Sequence, residues 1–245
     1  MKKKEWGGIK MNHQTIARYK KYALLGLIGT VLFMIGDLLL DVKPVGNITS
    51  GIVESGWAQM SMWRFEASIL LGAAAVPLWF FGLISVGKAI QDKNKRAGDF
   101  YLFGTVVGCL GGLLIHTVCN FLPVIYKIIY LNNGDSVLTA NMLNEMADYI
   151  MIPFAVYFAI LELFTAIPFL YVILSGKMEI SKWKALCNPI ITILLSKIME
   201  QIPFYPINAV SGAMESLGHF LMCLVILRYY NRLLKSETVQ AELPR

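Results

Sequence analysis

Charge is what this sequence has least of. Asp, Glu, Lys and Arg together make up 16% of its 245 residues, while 56% are hydrophobic and the mean hydropathy is +0.58. A soluble domain carries about 25% charged residues. It also alternates apolar and polar faces along its helices, whereas here long segments are apolar on every side, which only lipid or a lipid-embedded bundle tolerates. Cysteine is scarce as well. The four present, Cys109, Cys119, Cys187 and Cys223, have no metal-type spacing and no obvious bridged pair, so they read as small packing residues. No Gly-rich phosphate loop, nucleophile elbow, internal repeat, low-complexity tract or second domain is visible. A nucleic-acid-binding element is missing too, and the net charge of +6 requires no nucleic-acid partner, because membrane topology and attraction to anionic lipid account for it.

What is present is a set of long apolar runs. Crossing a hydrocarbon core of about 30 Å takes roughly 20 apolar residues in a helix. Six segments qualify: Tyr22–Val42, Arg64–Ala89, Tyr101–Leu131, Tyr149–Ser175, Ala185–Tyr205 and Ile207–Tyr230. The chain is therefore expected to be an all-α, polytopic membrane bundle of six transmembrane helices. A basic arm (1–21), the membrane domain (22–235) and a short tail (236–245) make up its organisation. The first run follows a basic arm, as a secretion signal does, but its length, its Asp37 and the lack of a small-residue cleavage site read as a retained span. The third run is over-long and must tilt or project. Pro203 and Pro206 predict a tight hairpin between the fifth and sixth. Outer loops over 43–60 and 132–148 are long enough to cover a pocket mouth.

Basic residues of short loops stay in the cytoplasm. They cluster in alternate loops: Lys2, Lys3, Lys4, Lys10, Arg18, Lys20 and Lys21; then Lys93, Lys95 and Arg96; then Lys177, Lys182 and Lys184; then Arg228, Arg232 and Lys235. Both termini are expected in the cytoplasm, and the location is the plasma membrane for a bacterial cell.

Against this background the stretch AMESLGHFLM stands out, because Glu215 and His219 lie four residues apart inside a predicted span. That spacing stacks them on one face, which Asn208 and Gly212 extend. On the third span Gly104, Gly108 and Gly112 recur every fourth residue, the small-residue pattern of close helix approach in lipid, and His116 and Asn120 continue the row. Asp37, and with it Asp41, sits at the outer end of the first span, Glu162 near the middle of the fourth, and Lys197, Glu200 and Gln201 in the outer half of the fifth. The plainer readings are local: Lys197 pairs with Glu200 along its helix, Asp37 pairs with Arg64, and Trp57, Trp63 and Trp79 anchor the interface or pack.

Each ionisable group inside a span costs about 2.5–3.5 kcal/mol on insertion scales, so several at matching depth point to one shared polar cavity in the outer half. Its candidate lining is Asp37, His116, Asn120, Glu162, Glu200, Glu215 and His219. The acidic excess favours a cation or small molecule from the outer side, bound or transported. Six helices are few for an alternating-access carrier, so transport calls for a homo-oligomer. Two alternatives stand behind this first reading. An intramembrane enzyme acting on a lipid would hold zinc through His116, Glu215 and His219, with Asp37 as fourth ligand or outer partner. A structural subunit would use the same polar residues to bind helices together.

Overall fold

The computed structural model describes residues 11–44, 46–202, 204, 207 and 209–242. Lys2, Lys3, Lys4 and Lys10 of the basic arm, the prolines Pro203 and Pro206, and Asn208 lie outside them. The described chain is helical, in the order α1 (His13–Asp41), a hairpin of β1 (Thr49–Ser50) and β2 (Val53–Glu54), α2 (Met62–Lys93), α3 (Lys95–Leu131), α4 (Ser136–Leu174), α5 (Pro189–Met199) and α6 (Met214–Glu242). Short 3-10 turns precede α2, α5 and α6. Helices α1 to α4 are each long and apolar enough to cross a membrane. Their outward faces are apolar too: Leu70, Leu110 and Ile152 are 70%, 72% and 73% exposed, a surface that suits lipid.

Side-chain contacts fix the two ends of the bundle. Ser85 Oγ on α2 donates to the Tyr19 carbonyl on α1 (2.8 Å), and Tyr230 on α6 donates to the Ser85 carbonyl (2.9 Å). The start of α1, the end of α2 and the later turns of α6 therefore share one end, which also carries most of the basic residues. At the other end Arg64 donates to the carbonyls of Leu39 (2.9 Å) and Val42, closing the C-terminus of α1. Helices α1 and α2 approach closely where Gly26 meets Gly82, since a Cβ on either would run into the other's backbone. Gly104 and Gly108 of α3 let Phe164 and Leu161 of α4 pack against its backbone. Buried Leu83, Val86, Tyr101, Phe169, Met222 and Ile226 fill the basic half.

Three regions differ from the sequence expectation. The stretch 132–148 is mostly helix, because Asp135 caps α4 by accepting from the amides of Val137 and Leu138. Leu143 then packs with Val53, Trp57, Met60, Phe65, Leu122 and Tyr126 in a second apolar cluster outside the main core. The 43–60 segment folds into the same cap, where the Asn144 side chain accepts from Ile52 N (2.9 Å) and donates to the Ser50 carbonyl (2.9 Å). Helix α3, 37 residues long, runs out to meet it.

The third difference is α5, with 11 residues where a full span was expected over Ala185–Tyr205. At about 1.5 Å per residue this is roughly half a hydrocarbon core. A residue before proline avoids helical geometry, so Asn188 stays extended and caps α5 through Ile191 N, with Pro189 in the first turn. Pro189 packs directly on Gly218 of α6.

Candidate functional site: an acid-lined cavity in the bundle

Helix α6 brings its polar residues to one side by spacing alone: Glu215, Ser216 and His219 fall within little more than a turn. They face a cavity of about 410 Å³ between α1, α3, α4 and α6, with Trp79 of α2 on its wall. This volume falls in the range of ordinary small-molecule sites. One side is acidic, formed by Asp37 and Asp41 of α1 with Glu215. Phe154, Tyr157, Phe158 and Leu161 of α4 add an aromatic and apolar part to the lining. No lysine or arginine is among the described lining residues.

Hydrogen bonds set the side-chain positions. Ser216 Oγ donates to Asp37 Oδ2 (2.7 Å), tying α6 to α1. His219 Nε2 lies 3.0 Å from Glu162 Oε1, tying α6 to α4. Glu162 sits behind the cavity wall, 3% exposed. One ligating atom from each of Glu162, Glu215 and His219 lies within 4.8 Å of the others. Among the described residues, Glu162 Oε2 and His219 Nδ1 have no hydrogen-bond partner.

His116 takes a separate place on the same cavity. Its Nε2 lies 3.1 Å from the Ser68 carbonyl of α2, and Asn120 Nδ2 donates to the His116 carbonyl (2.8 Å). A row of rings connects the two imidazoles: Trp79 stands edge-on to His219 (4.8 Å between centroids), Phe33 to Trp79 (5.2 Å), and Phe33 to His116 (5.5 Å). The structure thus brings Asp37, His116, Asn120, Glu215 and His219 to one cavity, with Glu162 against it. It groups Glu162, rather than His116, with Glu215 and His219.

Glu200 belongs elsewhere. It pairs with Lys197 (2.9 Å) and lines a second, outer pocket of about 430 Å³ with Lys43, Glu54 and Gly212. Asp41 borders both pockets. Its carboxylate lies against Gly212, where a Cβ would collide with it, and Lys43 Nζ lies 3.5 Å from Asp41 and 3.3 Å from Glu54.

Sequence reasoning passed over Trp79, Ser216 and the α4 aromatics. Trp79 carried a usable signal: it lies near the middle of α2, too deep for an interface anchor, and is 5% exposed. The α4 aromatics carried none, because α4 is apolar all round and its cavity face is indistinguishable from its lipid face. Cys119, read as packing, also lines the cavity.

The chain belongs to DUF6796, a family of unknown function, over residues 1–232. No curated protein and no solved structure matches it.

Proposed function

We propose that this is a six-span membrane protein, with both termini in the cytoplasm, that binds a small cation or cationic small molecule entering its cavity from the outer side. The observation that carries the reading is the lining itself: three carboxylates, Asp37, Asp41 and Glu215, and no described lysine or arginine. Lys43 partly compensates Asp41 at 3.5 Å, whereas charge on Asp37 and Glu215 is costly in a low-dielectric interior, so such a cavity attracts positive charge and rejects anions. A polar cluster that only joins helices would need no void.

Topology supports the same reading. Glu162 meets His219, and Arg232 of α6 donates to the Glu179 carbonyl just beyond α4, so α4 and α6 run in the same direction. The chain between them returns by way of the 3-10 turn Lys182–Leu186 and the half-length α5, and we count this return as the fifth crossing. The basic end faces the cytoplasm by the positive-inside rule, which turns the cavity outward. Transport would further require a second copy, as six crossings are few for alternating access.

Cys119 is a built-in reporter. With Cys109, Cys187 and Cys223 replaced by alanine, a membrane-impermeant, trimethylammonium-bearing thiosulfonate applied to intact cells should modify Cys119. Modification only after the membrane is opened, or none at all, would contradict access from outside.

A further inference from the structure

We propose that Glu162, Glu215 and His219 form a site for one divalent transition-metal ion at the inner wall of the cavity. The proposal deepens the reading of the cavity as a cation site and rests on it. Glu215 and His219, four apart, present their side chains from one face of α6, and Glu162 reaches across from α4. Glu162 Oε1 and His219 Nε2 are 3.0 Å apart, the edge of a coordination shell with metal–ligand bonds of about 2.0–2.1 Å.

Two further observations point to a ligand. Glu162 is 97% buried by its 3% exposure, yet its Oε2 has no hydrogen-bond partner among the described residues. Such orphaned atoms are rare in a folded interior. The second is charge. Two carboxylates in contact give the site a formal charge of about −2 when ionised, which a divalent ion cancels in full. Asp37, held by Ser216, lines the same cavity.

The donor set selects the metal. Calcium takes six to eight oxygens, and magnesium prefers oxygen and keeps its water, so an imidazole with two carboxylates suits zinc, manganese, iron or cobalt. Copper(I) favours thiolate, and no cysteine belongs to the cluster. Three protein ligands leave a coordination position open to the cavity, as in catalytic zinc sites.

The test uses the full-length protein in detergent, stripped with a chelator and titrated with Zn²⁺ and Co²⁺. Metal is counted by mass spectrometry after gel filtration, and the visible Co²⁺ spectrum reports imidazole–carboxylate ligation. One ion per chain is expected, with affinity reduced about tenfold or more in Glu162→Gln, Glu215→Gln and His219→Asn and retained in His116→Asn. Should His219→Asn fail to fold, the near-isosteric Glu215→Gln carries the comparison. Substoichiometric metal in the wild type, or an equal loss in His116→Asn, overturns the site. Reaction of Cys119 with the cationic thiosulfonate, run in intact cells on the chain that keeps only this cysteine, separates the two readings. Rapid labelling without metal binding overturns the metal site alone, whereas bound metal without labelling overturns outward access.

Discussion

Glu162 on α4 and His219 on α6 meet at 3.0 Å, and both side chains are almost fully buried, at 3% and 2% exposure. Glu162→Ala strands a buried imidazole nitrogen and should lower stability by about 1–3 kcal/mol, while Glu162→Gln, which keeps an acceptor, should lose less. Thermal unfolding in detergent measures this, and the fluorescence of Trp79, which stands on the His219 ring, reports the local change. Identical melting of wild type and Glu162→Ala would remove the pair from the account of stability.

Asp41 and Gly212 form a second, purely steric relationship. Alanine at 212 drives a methyl group into the Asp41 carboxylate, which must swing into the pockets it borders, so the substitution should cost up to about 1 kcal/mol, the low end of overpacking. In an Asp41→Gly background the same substitution should cost almost nothing. Equal costs in both backgrounds, measured as melting temperatures of the four proteins, would show that the two residues do not touch.

Arg64 closes α1 by donating to carbonyls that the helix leaves unpaired. Arg64→Ala should therefore destabilise the bundle by about 1–3 kcal/mol, and Arg64→Lys should recover only part of it, because a single ammonium cannot reproduce the guanidinium fork. Full recovery by lysine would reduce the role of Arg64 to its charge.

The long apolar helices and the polar face of α6 were legible because both depend on local repetition: hydropathy over about 20 residues, and the i, i+4 spacing of Glu215 and His219. The grouping of Glu162 with them was not, since it depends on α4 and α6 running in the same direction, which is set by contacts between residues more than 50 apart in sequence. The short α5 was legible in principle from Asn188-Pro189, a helix-start signal inside an apolar run that hydropathy averages away. Amphipathic packing of Leu143 and Ala147 made a helix of 136–148, where polar Asn141, Asn144, Glu145 and Asp148 suggested a loop.

Charge selection by the cavity is the central claim, and the reactivity of Cys119 measures it most directly. In the chain with Cys119 as its only cysteine, second-order labelling rates are compared for a trimethylammonium thiosulfonate and its sulfonate analogue, with the three lining carboxylates intact and in the Asp37→Asn, Asp41→Asn, Glu215→Gln triple variant. One unscreened charge at about 4–6 Å is worth more than 1.4 kcal/mol at an effective dielectric of about 20, so the wild type should favour the cation by about tenfold or more, and neutralisation should collapse that ratio. A cation-to-anion ratio near one in the wild type, or a ratio left unchanged by the triple substitution, would contradict the account.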